Sequence, residues 1–184
     1  MKFFFRPRTQ EDTHQIVGWH YLPPYDFYDL DQDPEDLAEF LDPRTWQEPH
    51  YSVFHEADEL VGFFNFRPNG QSVEIGLGLR PDLTGKGLGQ AFITAGLAFG
   101  QEHFAVGMWS LSVATFNTRA IRLYEQVGFT ALNTFLQYTN GGEYEFLRMV
   151  RPTSELRRHS PLPHHVKCGR ATKRCDLHML SSFH

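Results

Sequence analysis

Residues Glu74–Gln90 read EIGLGLRPDLTGKGLGQ, an apolar strand followed by a glycine-rich turn and the start of a helix. Glycines alternate with other residues in this turn, at positions 85, 87 and 89. Glycine adopts a positive φ and has no Cβ, so such a turn can aim several backbone N–H groups at one anion beside a helix N-terminus. The pattern predicts a phosphate-binding loop. An ordinary glycine-rich connection between a strand and a helix is the alternative.

The spacing within this loop excludes two common nucleotide-binding motifs. A P-loop places Ser or Thr after its lysine, whereas Lys86 is followed by Gly87. The dinucleotide fingerprint G-x-G-x-x-G would need its third glycine at position 90 or 92, where Gln90 and Phe92 stand. The loop therefore predicts an anion site of another kind.

Composition predicts one globular domain. The chain has 184 residues, of which 41% are hydrophobic and 15% aromatic, which is enough to form a core. No apolar run approaches the roughly 18 residues of a membrane-spanning helix, and the N-terminal MKFFFRPR is too short to be a signal peptide. We expect a cytoplasmic protein that does not bind a membrane.

The net charge of −5 is unevenly distributed along the chain. Residues 1–150 hold ten Lys or Arg against twenty Asp or Glu, and so carry −10. Residues after Val150 hold seven Lys or Arg against two acidic residues, and so carry +5. An acidic body disfavours nucleic acid as a partner and weakly favours a cationic acceptor.

The hydrophobic pattern predicts, in order, a strand, two helices, three strands, a helix, a strand, a helix and two strands. The predicted segments are 3–6, 9–19, 34–41, 51–56, 60–67, 72–79, 87–102, 108–113, 119–126, 129–138 and 144–150. Thr9, Asp33 and Asn117 are predicted helix N-caps, while Asn69-Gly70 and Asn140-Gly141-Gly142 are predicted hairpin turns. This order predicts an α+β domain on a single mixed, twisted, mostly antiparallel sheet flanked by helices.

Residues 21–29, YLPPYDFYD, form a loop with four aromatic side chains. Aromatic rings beside acidic residues can wall a pocket for a cationic or aromatic acceptor. The alternative is a loop held to the core by its own rings, and the sequence leaves both open.

Two motifs and the element order together resemble the GNAT superfamily of N-acetyltransferases, over about residues 1–150. Leu79–Gly89 is similar to the pyrophosphate loop of that family, and Asn117–Phe129, NTRAIRLYEQVGF, is similar to its second cofactor motif. One position departs from the family pattern, because Thr84 stands where a long charged or amide side chain is usual. We therefore expect an N-acetyltransferase domain over residues 1–152.

The resemblance implies acetyl-CoA as co-substrate, no metal, and a primary amine of a small molecule or of a peptide or protein N-terminus as acceptor. The N–H groups of residues 84–89 would bind the pyrophosphate, with Lys86 either nearby or solvated. The pantetheine arm would pair with residues 77–79 like an added strand, beside space left by Gly76 and Gly78 and a β-bulge, and the Leu79 N–H would polarise the thioester carbonyl. The implied cofactor-binding residues are Leu77, Gly78, Leu79, Thr84, Gly85, Lys86, Gly87, Leu88, Gly89 and Asn117.

Tyr124 and Glu74 are the implied catalytic residues. Tyr124 would protonate the leaving thiolate, and Glu74 would accept the amine proton directly or through water. The alternatives are a surface or core tyrosine and a rim carboxylate that only attracts the amine. Weaker catalytic candidates are His20, Tyr138 and Asp26, while Arg119 and Arg122 either approach the 3′-phosphate or ribose of the cofactor or are solvated.

A non-catalytic acyl-CoA-binding module with the same fold is the alternative function, and either a monomer or a homodimer fits the sequence. The acceptor pocket would be formed by the loop at residues 21–29 and by residues 135–144. From Thr153 the chain becomes rich in Arg, His, Ser and Pro, which predicts a disordered or non-native tail over 153–184. His165, Cys168, Cys175 and His178 are zinc-ligand types, but their inner spacing is shorter than in zinc fingers.

Overall fold

The computed structural model describes residues 2–46 and 49–153. Within these residues the element order is the predicted one. The strands are β1 (Phe3–Pro7), β2 (His50–His55), β3 (Leu60–Asn69), β4 (Ser72–Leu79), β5 (Met108–Ala114), β6 (Thr130–Thr139) and β7 (Gly142–Pro152). The helices are α1 (Gln10–Val17), α2 (Pro34–Leu41), α3 (Gly89–His103) and α4 (Thr118–Gln126).

One sheet connects all seven strands in the order β1-β2-β3-β4-β5-β7-β6. Every neighbouring pair is antiparallel except β4 and β5, which run parallel because α3 crosses over between them. The prediction of a mixed, mostly antiparallel α+β sheet is confirmed. No described helix is long and apolar enough to cross a membrane.

Local side-chain chemistry sets the ends of the helices and hairpins. Thr9 forms a capping box with Asp12, and the Asp33 carboxylate accepts from the first turn of α2. Gly70 has φ +61°, and Asn140 and Gly141 have φ +49° and +72°, so both predicted hairpin turns use left-handed residues. These short-range signals place β3 against β4 and β6 against β7.

The two faces of the sheet carry different helices. On one face α3 and α4 cover the main core, where Leu77 and Leu79 pack with Phe92 and Tyr124. On the other face α1 and α2 cover a smaller cluster that includes Ile16, Phe40 and Phe63. We call these the cofactor face and the acceptor face, after the two ligands that the sequence resemblance implies.

Small residues let α3 lie close to the sheet, as its sequence predicts. A Cβ on Gly96 would overlap the Phe64 ring, and one on Gly100 would lie 2.6 Å from Trp109 Cη2 and 2.8 Å from Phe66 Cε1. These contacts are shorter than packed side chains allow. The two glycines therefore fix how deeply the aromatic rings of the sheet reach under α3.

Strands β4 and β5 separate along their length. β4 pairs with β3 over its full length, but within the described chain it pairs with β5 only at residues 72–74. The register with β3 is regular, so the predicted bulge near Gly76 and Gly78 is wrong. The ring of Phe63 also occupies the space that a Cβ on Gly78 would fill, so that expected open space is absent.

Candidate active site

The gap between β4 and β5 exposes specific backbone groups of β4. The antiparallel register pairs Arg80 with Val61, and the Arg80 N–H donates to the Val61 carbonyl at 2.8 Å. Because peptide groups alternate in direction along a strand, those of Gly78 point to β3 and those of Leu77 and Leu79 point to β5. Of the predicted residues 77–79, only the two leucines therefore turn their backbone toward the gap.

The loop after β4 begins with a tight turn that uses both donors of Thr84. Its N–H and its hydroxyl both donate to the Pro81 carbonyl, at 3.1 Å and 2.7 Å. The expectation that the Thr84 N–H donates to phosphate does not match these contacts. Thr84 instead closes the Pro81–Leu83 turn and presents the glycines that follow it.

The next residues form the predicted concave array of donors. Gly85 and Gly87 have φ +70° and +76°, and no described atom lies within 4 Å of an ideal Cβ on Gly87. Among the described residues, none accepts a hydrogen bond from the N–H groups of residues 85–88. Since α3 starts at Gly89, these donors lie at a positive helix end where an anion is stabilised.

Arg119 brings a guanidinium to the same loop. Its Nη1 lies 3.9 Å from the position of a Cβ on Gly85, and its Cζ lies 4.7 Å above the Tyr25 ring. Arg119 is therefore a neighbour of the loop, while Arg122 is an exposed residue of α4. Lys86 is exposed.

Asn117 serves as the N-cap of α4 and also contacts the aromatic loop. Its Oδ1 accepts from the Ala120 N–H at 3.1 Å, and its Nδ2 donates to the Tyr28 hydroxyl at 3.3 Å. The side chain is fully buried. The cap predicted from the sequence is confirmed, and the contact with Tyr28 ties α4 to residues 21–29.

Tyr124 lies in the core beneath the gap, in edge contact with Phe129 at 6.0 Å between ring centroids. Burial raises the pKa of its phenol well above 10, and the neighbouring Tyr28 adds to the shift. Burial also raises the pKa of Tyr28 to about 12. Both phenols therefore keep their protons through the neutral range. Because Tyr124 is fully buried, the alternative of a surface tyrosine is excluded.

The aromatic loop is held by its own rings, the second of the two alternatives for residues 21–29. Tyr21 and Tyr28 are buried with Ala114 and Phe146. The Tyr21 hydroxyl donates to the Leu79 carbonyl at 3.0 Å, so the loop reaches the end of β4. Asn140 binds the other end of the loop, since its Nδ2 donates to the Phe27 carbonyl at 2.7 Å.

Glu74 lies on the acceptor face, where β4 and β5 are still paired. Its carboxylate lies 3.9 Å from Arg67 Nη1 and 3.8 Å from Arg148 Nη2, and Ser112 Oγ donates to it at 3.5 Å. Both alternatives for Glu74, a base that acts directly or through water and a carboxylate that only attracts an amine, are compatible with these contacts.

Sequence reasoning missed the residues that surround Glu74. The hairpin at Asn69-Gly70 pairs Arg67 with Glu74, so this neighbour could have been found by counting back from the turn. Arg148 could not, because its position depends on the pairing of β7 with β5 across 36 residues of sequence.

The weaker catalytic candidates lie farther out. Tyr138 and Asp26 are exposed, while His20 Nδ1 lies 3.0 Å from Asp29 Oδ2. Ligand-type atoms of His20, Asp29 and Asp31 lie within 4.8 Å of one another. Asp29 Oδ1 already accepts from the Tyr21 N–H, and Asp29 Oδ2 faces His20. The four His and Cys residues from 165 to 178 lie outside the described residues.

A family model for the acetyltransferase (GNAT) family matches residues 13–129. This range holds the splayed strands, the donor loop and the Asn117–Phe129 motif, which together define an acyl-CoA-type fold. The chain belongs to the acetyltransferase (GNAT) family, and the resemblance seen in the sequence is confirmed.

Known relatives match about half of the chain. Mycothiol acetyltransferases of Propionibacterium freudenreichii and Salinispora tropica are each 36% identical over 90 and 93 residues, which is 45% and 46% of this chain. The matched segment spans 28% and 30% of their length, so the chain covers less than a third of these relatives.

Solved structures of the same fold include a spermidine N-acetyltransferase from Vibrio cholerae in complex with CoA and spermine. It is 20% identical, with a TM-score of 0.67 over 84% of this chain and 97% of that chain. A mutant form of the spermidine/spermine N-acetyltransferase from Vibrio cholerae is 21% identical, with a TM-score of 0.64 over 87% of this chain and 100% of that chain. At these identities the likeness concerns the fold.

Proposed function

We propose that this protein transfers an acetyl group from acetyl-CoA to the primary amine of a small molecule or of a peptide or protein N-terminus. One observation supports the proposal: β4 parts from β5 after residue 74 and leads into the donor loop, and its residues Leu77 and Leu79 share a core cluster with buried Tyr124. The proposed catalytic domain is residues 1–152. Acetyl-CoA, when bound, would supply an activated acetyl thioester.

The residues present fit that cofactor. The N–H groups of residues 85–89 and the Arg119 guanidinium would hold phosphate oxygens, and a Cβ at Gly87 would intrude on them. The backbone groups of Leu77 and Leu79 would pair with an amide-bearing arm and orient the thioester carbonyl. Asn117 would keep the arm against α4 while its Oδ1 caps the helix.

Tyr124 is proposed as the acid. A phenol buried in the core and protonated throughout the neutral range can donate its Oη proton to a leaving sulfur. Glu74 is proposed to receive the amine proton, directly or through water, because its carboxylate lies on the acceptor face of β4 and accepts from Ser112 Oγ. The acceptor amine would approach from the acceptor face, between residues 21–29 and the β6–β7 hairpin.

Thiol release from acetyl-CoA on a panel of amines tests the proposal. We expect turnover by the wild type and a loss of about 100-fold or more in kcat for Tyr124→Phe, the usual range for removal of a general acid. Tyr51→Phe is the matched control, since Tyr51 packs against Phe66 and Phe99 away from the gap. Full activity of Tyr124→Phe would remove the acid role alone.

A non-catalytic acyl-CoA-binding module is the competing function. It predicts tight acetyl-CoA binding by calorimetry together with no thiol release on any amine. That result, seen equally in the wild type and in Tyr124→Phe, would contradict an enzyme.

A further inference from the structure

The acceptor face carries more cationic than anionic side chains around Glu74. Among the described residues, the charged groups within 4.0 Å of this carboxylate are Arg67 and Arg148, one on each side. Both distances, 3.9 Å and 3.8 Å, exceed hydrogen-bond length. One carboxylate therefore faces two guanidinium groups without closing a hydrogen bond to either.

Arg148 has unused hydrogen-bonding capacity. Its Nε is buried and donates to no described residue, and its Cζ lies 5.4 Å above the Phe135 ring. The Arg148 side chain is nevertheless one-third exposed as a whole, so part of its guanidinium is accessible from the acceptor face. The accessible part of this guanidinium can donate to a carboxylate or a phosphate-like oxyanion.

A third arginine adds to this excess. Arg8 is buried under α2, where its Nη2 donates to Asn65 Oδ1 at 2.6 Å while Nε and Nη1 have no partner among the described residues. Burial lowers the pKa of Arg8 to about 9, so it stays charged at neutral pH. Asp12 is the acidic neighbour of Arg8.

The surface formed by Arg67, Glu74 and Arg148 is continuous with the proposed reaction site. Asn65 pairs with Gly76 on β4, and Ser112 lies two residues before Ala114, which packs against Tyr21 and Tyr28. On the other side, Phe135 under Arg148 stacks on Phe146 of the same aromatic cluster. An acceptor entering beside the aromatic loop would meet the two arginines.

We propose that the amine acceptor carries an anionic group, in the simplest case a carboxylate as in an amino acid, and that Arg67 and Arg148 bind it. This inference rests on the proposed function and specifies its substrate class. Glu74 between the arginines attracts the ammonium of the same zwitterion. A polyamine, which is cationic throughout, would be repelled by both guanidinium groups.

Acceptor pairs that differ only in the carboxylate test this inference. The pairs are lysine with 1,5-diaminopentane and phenylalanine with phenethylamine, with spermidine as a polycation, and thiol release gives kcat/KM. We expect the carboxylated member to be preferred by about 10-fold or more. Arg148→Gln should lower kcat/KM about 10- to 100-fold for the carboxylated member and by less than about 3-fold for its partner.

Controls separate charge from folding. Arg44→Gln removes an exposed arginine whose ion pair within the described chain is with neighbouring Asp42, and we expect no change with any acceptor. Arg148→Lys, which keeps the charge without the planar fork, should recover part of the preference and covers the case in which Arg148→Gln does not fold.

The outcomes distinguish this inference from the function on which it rests. Equal or better turnover of spermidine and 1,5-diaminopentane would overturn the anionic acceptor and leave the acetyltransferase intact. An Arg148→Gln loss of equal size for both members of a pair would also overturn it. No thiol release on any amine, with acetyl-CoA still bound, would overturn both.

Discussion

The two sides of β4 are built in different ways. On the cofactor face the proposed functional groups are mostly backbone N–H groups from one continuous loop, residues 85–89, next to the β4 residues Leu77 and Leu79. On the acceptor face they are side chains from distant parts of the chain, Tyr21, Arg67 and Arg148. One side depends on backbone shape and the other on which side chains the fold brings together.

This difference determines which substitutions each face tolerates. A backbone site tolerates side-chain changes at residues such as Lys86, which is exposed, but needs glycine where φ is positive. A side-chain site changes its preference when one residue is replaced. Substitutions on one face should therefore impair that face and leave the other intact.

The largest expected effect comes from the backbone side. Gly87→Glu places bulk and negative charge in the concave donor array, at a residue with φ +76° and no described atom within 4 Å of its Cβ. We expect acetyl-CoA affinity, measured by calorimetry, to fall by about 100-fold or more, because like charges repel and a donor pocket is filled.

Gly70→Glu is the matched control for Gly87→Glu. Gly70 has φ +61° and also has no described atom within 4 Å of a Cβ. A side chain at position 70 therefore meets the same kind of backbone strain and the same open space as one at position 87. Both variants should melt at similar temperatures. Unchanged affinity in Gly87→Glu would remove the loop from the cofactor site.

A smaller effect is expected on the acceptor face, where acid should lower the stability of the fold. His50 lies beside Arg8 and Arg67, and burial first, then the two arginines, lower its pKa to about 3. Since the unfolded pKa is about 6.5, the unfolded chain binds the proton first, so stability is full above about pH 6.5 and falls as the pH drops toward 3.

The loss can be measured by thermal or urea unfolding at pH 7.5 and pH 5. By pH 5 the free energy of unfolding has fallen by about 2 kcal/mol. This value is set by the pKa of His50 in the unfolded chain, provided that its pKa in the folded protein lies below about 4. His50→Gln should abolish this part of the acid sensitivity, and His14→Gln, at an exposed helix position, should not. Equal acid sensitivity in all three proteins would show that His50 is not held neutral.

The same contrast explains which features the sequence could predict. Periodicity, caps and turn residues act over a few positions, so β4, the donor loop and the Asn117 cap were predictable. The hydrogen bonds of Thr84 were not, because a hydroxyl chooses between Pro81 and a ligand according to the turn geometry. Arg148 and Tyr21 meet β5 and β4 only through long-range pairing, for which a single sequence carries no local signal.

Asn117 belongs to both sides, and the smallest predicted effect separates its two contacts. Asn117→Ala removes the N-cap acceptor and the donor to Tyr28, and should lower the free energy of unfolding by about 1–2 kcal/mol. Asn117→Ser keeps a capping oxygen but is too short to reach Tyr28, so most of the stability should return. If the amide also holds the pantetheine arm, acetyl-CoA affinity in Asn117→Ser should stay about 3- to 10-fold below wild type, the range of one neutral hydrogen bond. Wild-type affinity in Asn117→Ser would leave Asn117 as a helix cap alone and would assign the arm entirely to the backbone of β4.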